Sequence, residues 1–166
     1  MKKYFKRALL IFMLSLFLLP ACVWAEKQVL KEQFPIAADF KLNDLDGKVV
    51  VLGDYLGKNS VLLFFWTTWC PYCRSELKEL QNEESELLKD KVVVLAINSG
   101  EQKDKVASFV KKINLTSRVL LDQDGLVSDR YELLGVPTYF LINKKGEVVF
   151  SGNHFPKERL GEADVR

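Results

Sequence analysis

Two cysteines separated by two residues, Cys70 and Cys73, form the strongest chemical motif of the sequence. Pro71 follows the first cysteine, and an apolar run from Val61 to Trp66 comes shortly before it, so Cys70 is predicted to stand where a helix begins after a buried strand. Unsatisfied backbone N–H groups and the helix dipole stabilise a thiolate at that place. Cys70 is therefore the predicted nucleophile, and Cys73 the predicted resolving cysteine, of a thiol–disulfide exchange that needs no cofactor.

Three interpretations other than redox activity are open for this cysteine pair. A structural disulfide is compatible with an exported protein, but a bridge across so short a loop contributes little stability by loop entropy. A zinc site needs further ligands, and the remaining candidate is the distant His154, so no metal site is predicted. Thr67 resembles the peroxidatic Thr-x-x-Cys pattern, yet Leu63 stands where that pattern has proline. Redox exchange is the favoured interpretation.

The first 25 residues have the composition of an export signal. They contain four basic side chains, no acidic side chain and an apolar run from Ala8 to Leu19. Three outcomes remain open: cleavage after Ala25, lipidation at Cys22, or retention of residues 1–25 as a membrane anchor. All three place residues 26–166 outside the cytoplasm, in the periplasm or on the outer face of a bacterial cytoplasmic membrane.

The exported part is long enough for one domain and close to electrically neutral. Residues 26–166 contain 20 basic and 22 acidic side chains once the four bases of the leading segment are set aside. Such a balance argues against a nucleic-acid partner. We therefore expect two regions, a signal peptide or membrane or lipid anchor over residues 1–25 and one domain over residues 26–166.

Hydrophobic patterning predicts alternating strands and helices after a leading hairpin. Asp46-Gly47 is the turn signal of that hairpin, and Lys144-Lys145-Gly146 marks a second hairpin near the end of the chain. The order is hairpin, then β-α-β-α-β-α-β-β, which favours an α/β sheet with helices on its faces. The predicted segments are strands at 61–66, 92–97, 119–121, 138–142 and 148–150, and helices at 71–89, 106–115 and 126–134.

Two segments of the sequence are distinctive: FWTTWCPYCRSE at residues 65–76 and GVPTYFLI at residues 135–142. Together they resemble the TlpA/ResA-like extracytoplasmic thioredoxins, a redoxin family related to AhpC/TSA. The resemblance extends from about residue 38 to residue 152. It implies a thioredoxin fold, with a central mixed β-sheet flanked by helices and an N-terminal β-hairpin extension.

The same resemblance implies roles for residues outside the cysteine pair. Pro137 is expected to follow a cis peptide bond and to pack against the cysteines, and Val136 to offer backbone groups to a substrate strand. Glu76 matches an acidic residue of the family and is expected to take and return the proton of Cys73; an ordinary first-turn acid is the alternative. General thioredoxins bury an Asp six residues before the first cysteine, a position that is Phe64 here.

The resemblance further implies a monomeric enzyme that acts on protein thiols and disulfides. Trp69, Pro71 and Tyr72 are expected to form an apolar rim that meets substrates, whereas Trp66 is expected in the core. A reductase fed by a membrane thiol donor, for example in cytochrome c maturation or cell redox homeostasis, is the first hypothesis. A disulfide-forming oxidase is the runner-up because Pro71-Tyr72 resembles the glutaredoxin dipeptide, and a tethered binding module with a structural disulfide is the third.

Overall fold

A run of apolar and aromatic residues forms an interior strand of the sheet. The computed structural model describes residues 34–164, and within them every residue of the third strand, Ser60–Trp66, is buried. The other strands are β1 (Lys41–Asp44), β2 (Val49–Val51), β4 (Val92–Ser99), β5 (Val119–Asp122), β6 (Thr138–Ile142) and β7 (Val148–Gly152), with Ser60–Trp66 as β3. The helices are α1 (Pro71–Lys89), α2 (Lys103–Ile113) and α3 (Leu126–Arg130), with 3-10 segments at Leu52–Asp54 and Lys157–Asp164.

The seven strands form one mixed sheet in the order β2-β1-β5-β4-β3-β6-β7. Strands β3, β4 and β5 are parallel, and the remaining pairings are antiparallel. The predicted α/β sheet and the predicted N-terminal hairpin are both confirmed. At the hairpin turn Gly47 has a φ of +81°, a conformation that favours glycine.

Alternate residues of β3 supply the two halves of the hydrophobic core. Leu62, Phe64 and Trp66 face the half that packs under α1, so the prediction of a core position for Trp66 is confirmed. Val61, Leu63 and Phe65 face the half that contains Tyr131 and other residues near α3. A strand buried on both faces reads as a continuous apolar run, which is why the sequence signal was strong here.

Helix α1 begins at the edge of the sheet where the parallel strands end. Pro71 occupies its first turn, and Leu77, Leu80 and Leu87 bury one face of the helix against the sheet. Charged and polar side chains cover the opposite, solvent-facing side. Because β3 ends at Trp66, four residues, Thr67–Cys70, connect β3 to α1. The cysteine motif therefore lies at that edge of the sheet.

The third helix is shorter than predicted. The sequence predicts a helix from Leu126 to Leu134, whereas α3 ends at Arg130. The aromatic ring of Tyr131 packs against the ring of Phe65, with 5.4 Å between centroids, and Glu132 adopts a left-handed conformation with a φ of +51°. Burial of Tyr131 therefore turns the chain out of the helix before Leu134.

The predicted export signal lies outside the described residues. Cys22, Ala25 and the whole predicted signal or anchor belong to that part of the chain. Within residues 34–164, none of the helices combines the length and the apolar character that crossing a bilayer requires.

Candidate active site

The two cysteines of the motif form a disulfide at the N-terminus of α1. Cys70 caps the helix, its Cα lies 5.3 Å from that of Cys73, and its Sγ accepts a hydrogen bond of 3.1 Å from the Cys73 backbone N–H. Cys73 is completely buried, whereas Cys70 retains 3 % exposure. The more accessible sulfur is thus the one beside the positive end of the helix dipole, where a thiolate is stabilised after reduction.

The loop before β6 closes over the first cysteine. The Val136–Pro137 peptide bond is cis, as predicted. The carbonyl oxygen of Val136 lies 3.7 Å from Cys70 Sγ, and the Thr138 hydroxyl donates a 2.7 Å hydrogen bond to the carbonyl of Gly135. The two segments that carry the family resemblance therefore meet at the disulfide.

A groove of ≈ 560 Å³ runs alongside this loop and the start of α1. Two large apolar side chains on its rim are exposed: Tyr72 is 76 % exposed, and Leu134 is fully exposed. Trp69, which precedes Cys70 in sequence, is also 65 % exposed. Exposed aromatic side chains are common at protein-binding surfaces. The groove is lined by Tyr72, Glu76, Leu134, Gly135, Val136, Pro137, Thr138 and Asn153.

Glu76 projects from α1 into the same groove and accepts a hydrogen bond from a buried tyrosine. The Tyr139 hydroxyl donates to Glu76 Oε2 over 2.8 Å. Burial raises the pKa of Tyr139 well above its usual range, and the hydrogen bond to Glu76 raises it further, so the phenol stays a donor. Glu76 lies one helical turn after Cys73, and its role in proton transfer to that cysteine stays a prediction.

Several residues that hold or border this site were not predicted from the sequence. Glu101 binds Thr68 in the loop before Cys70, Arg74 donates to the Thr68 carbonyl, and Leu134 stands on the groove rim. Glu101 and Thr68 are 33 positions apart. An acidic residue after a strand usually indicates a solvent-facing loop, so the sequence carried no local signal for this contact.

In the described part of the chain no group of three or more His, Cys, Asp and Glu side chains is arranged to hold a metal ion. His154 is exposed, its ring 5.9 Å from that of Phe150 between centroids.

Residues 35–151 match the AhpC/TSA family. The chain belongs to this family. It is 39 % identical over 127 residues to the thiol-disulfide oxidoreductase ResA of Bacillus subtilis, a match that covers 76 % of this chain and 70 % of the relative. The crystal structure of StoA from Bacillus subtilis superposes with a TM-score of 0.66 and 30 % identity, covering 78 % of this chain and 98 % of StoA.

A third similar protein is the pneumococcal exposed lipoprotein thioredoxin Etrx1 from Streptococcus pneumoniae. Its structure has a TM-score of 0.67 and 32 % identity, and the match covers 75 % of this chain and 99 % of Etrx1. These likenesses confirm the predicted thioredoxin fold. Together with the Cys70–Cys73 disulfide, they identify the chain as a thiol–disulfide oxidoreductase.

Proposed function

We propose that the chain reduces disulfides of exported proteins through Cys70 and Cys73. The observation that carries the proposal is the disulfide at the N-terminus of α1, beside a groove with an exposed apolar rim. A helix N-terminus lowers the pKa of a free thiol, so reduced Cys70 is poised to attack. The rim gives an unfolded or extended protein segment an apolar surface next to the reacting sulfur.

The exchange takes two steps, and in each step one disulfide bond forms as another breaks. The Cys70 thiolate attacks one sulfur of a substrate disulfide, forms a mixed disulfide and releases the other substrate sulfur as a thiolate. Cys73 then attacks Cys70 Sγ and releases the second substrate thiol. The chain ends as the Cys70–Cys73 disulfide, and a membrane thiol donor returns it to the dithiol.

Glu76 is the proposed acid–base group of the second step. Cys73 is completely buried, and deprotonating a buried thiol without a nearby base is costly. Glu76 follows it by one turn of α1 and is held by the Tyr139 hydroxyl. A carboxylate at this place can accept the Cys73 proton during attack and return it when the disulfide is reduced again.

Substrate segments are proposed to bind in an extended conformation across the loop that carries the cis peptide bond. Val136 precedes β6 and presents backbone groups beside Cys70. Trp69, Pro71 and Tyr72 flank the disulfide from the side of α1, and Pro137 lines the adjacent groove. Backbone pairing with Val136 supplies affinity for many sequences, and the apolar rim favours segments with large side chains.

The site of action is proposed to be outside the cytoplasm. Residues 1–25 have the composition of an export signal, and the similar Etrx1 is an exposed lipoprotein. That likeness supports lipidation at Cys22 over the two other outcomes, and mass spectrometry of the mature N-terminus distinguishes the three. We propose that the protein acts as a monomer, with the cysteines of apocytochromes among its substrates.

A disulfide-forming oxidase is the second candidate because the dipeptide Pro71-Tyr72 resembles that of glutaredoxins. The reduction potential of the Cys70–Cys73 pair separates the two directions. A value near about −270 mV supports the reductase, and a value near about −120 mV supports the oxidase.

Trapping of the mixed disulfide tests the proposal directly. In the Cys73→Ala variant, Cys70 cannot be released, so covalent complexes with envelope proteins accumulate and disappear on treatment with dithiothreitol. Cys70→Ala is the matched control and forms none through this site. If the Cys73→Ala variant captures no protein in native envelopes, the disulfide is structural and the chain is a binding module.

A further inference from the structure

In the loop between β3 and α1, Thr68 is held by side chains of other elements. Its backbone N–H donates to Glu101 Oε2 over 2.6 Å, and its hydroxyl donates to Glu101 Oε1 over 2.7 Å. On the other side, Arg74 Nη2 donates to the Thr68 carbonyl over 3.2 Å. All three polar groups of this residue are thus bound by side chains from other parts of the chain, two positions before Cys70.

Glu101 reaches this loop because β4 ends in a sharp turn. Gly100 has a φ of +71°, which favours glycine, and its N–H donates to the carbonyl of Asp122 over 2.8 Å. The turn directs the Glu101 side chain back to the neighbouring β3–α1 connection. Asn98, at the end of β4, donates to Glu101 Oε2 over 2.8 Å and orients the carboxylate.

The Glu101 carboxylate is buried and ionised. Only 6 % of the residue is exposed. Burial acts to raise the pKa of Glu101, but hydrogen bonds from Lys105, Asn98 and Thr68 outweigh it and hold the pKa below its usual range. A buried carboxylate with four donors is a rigid anchor, because releasing any donor leaves a polar group without a partner.

We propose that Glu101 is the positioning residue of the active site, which sets Trp69 and Cys70 in place by holding Thr68. Trp69 is largely exposed, and Cys70 must align its sulfur with the disulfide of a substrate. A free loop would spread both over many positions, and a displacement of about 1 Å can cost about 100-fold in rate. This inference rests on the proposed role of Cys70 as the attacking cysteine.

The test uses two variants of Glu101 in the full-length chain, with a third in reserve. Glu101→Ala removes all four contacts. In Glu101→Gln the side-chain oxygen still accepts from Thr68 N–H and Asn98, and its NH₂ group can donate to the Thr68 hydroxyl, so only the ion pair with the exposed Lys105 is lost. If Glu101→Ala does not fold, Glu101→Asp takes its place, because its shorter side chain cannot reach both donors of Thr68.

Asp44→Ala is the matched control for a purely structural effect. Asp44 is also buried, accepts from the backbone N–H groups of Asp46 and Lys48, and pairs with Arg118 over 2.9 Å. It lies on β1, separated from β3 by β5 and β4. Its removal destabilises the fold by similar chemistry without touching the loop before Cys70.

Two measurements follow on each chain: the rate at which the reduced protein is oxidised by insulin, and amide hydrogen exchange at Thr68. We expect Glu101→Ala to slow the reaction about 10-fold or more and to remove protection of the Thr68 amide. Glu101→Gln should recover most of the rate and the protection, and Asp44→Ala should stay within about two-fold of the unmodified chain.

Three results would overturn the inference. Equal losses in Glu101→Ala and Asp44→Ala would mean that only stability matters. Equal losses in Glu101→Ala and Glu101→Gln would mean that charge, and not loop geometry, controls the rate. An unmodified chain that reduces no disulfide would instead refute the proposed function itself and remove the basis of the inference.

Discussion

The hydrogen bond between Tyr139 and Glu76 is the contact whose removal most directly tests the arrangement of the site. Tyr139→Phe deletes the hydroxyl and keeps the ring, which stacks on Phe64 with 4.5 Å between centroids and an angle of 29°. Glu76→Ala deletes the acceptor from the surface of α1. Because each change removes the same contact from a different side, the two single variants and the double variant form a thermodynamic cycle.

The size of the coupling follows from burial on the two sides of the bond. A hydrogen bond to a charged group contributes about 1.5–3 kcal/mol to the free energy of unfolding. Tyr139 is completely buried, but Glu76 is only half-buried, so water can replace part of the lost contact in Tyr139→Phe. We therefore expect a coupling free energy of about 1–2 kcal/mol, around and below the lower end of that range.

Urea denaturation of the four oxidised chains at pH 7 measures this coupling. The rate at which the mixed disulfide is resolved, measured in the same four chains, shows how the contact between Tyr139 and Glu76 affects the reaction. If Glu76 transfers the proton of Cys73, Glu76→Ala slows resolution by about 100-fold or more, and Tyr139→Phe by less because the carboxylate remains. A coupling below about 0.5 kcal/mol, the limit of simple additivity, would refute the reasoning from the contact.

Three further predictions address the groove, the core and the acid stability of the fold. Leu134→Ser should slow the reaction with insulin more than that with hydroxyethyl disulfide, because only the protein substrate needs the rim; equal losses would contradict this. Leu80→Ala should lower the free energy of unfolding by about 2–5 kcal/mol in urea, as expected for a buried leucine. Burial opposes the ionisation of Asp44, but hydrogen bonds from Arg118 and Lys48 lower its pKa, so the stability it contributes is present at neutral pH and lost as the pH falls through the folded-state pKa. The melting temperature of Asp44→Asn should therefore fall less between pH 7 and pH 3 than that of the unmodified chain.

The sheet and the cysteine pair were predictable because their signals are local. Six consecutive apolar or aromatic residues, Val61–Trp66, indicate a strand buried on both faces, and Pro71 indicates the first turn of the helix that follows. The position of Cys70 at the start of α1 follows from these two signals alone. Because Cys73 comes three residues later, the Cys70 sulfur caps the helix and the Cys73 sulfur is buried beneath its first turn.

The contacts that hold the site depend instead on residues distant in the chain. Glu101 meets Thr68 only because parallel pairing sets Trp66 beside Asn98 and because Gly100 reverses the backbone after β4. Neither condition can be read from the residues near Glu101. The early end of α3 also depends on distant residues, because the aromatic contacts of Tyr131 determine where the helix ends.

The aromatic residue at the position where general thioredoxins bury an Asp, Phe64, supports the proposed role of Glu76. Phe64 lies in the same core cluster as Cys73 and stacks on Tyr139, so the strand offers an apolar surface to the buried sulfur. A proton acceptor for this sulfur must then come from another element. The ring of Tyr139 belongs to that aromatic stack, and its hydroxyl donates a hydrogen bond to Glu76. This hydrogen bond joins the carboxylate on α1 to β6. With Phe64 at the position of that Asp, the proposed acid–base group, Glu76, lies on the helix that carries both cysteines, next to the groove where substrate is proposed to bind.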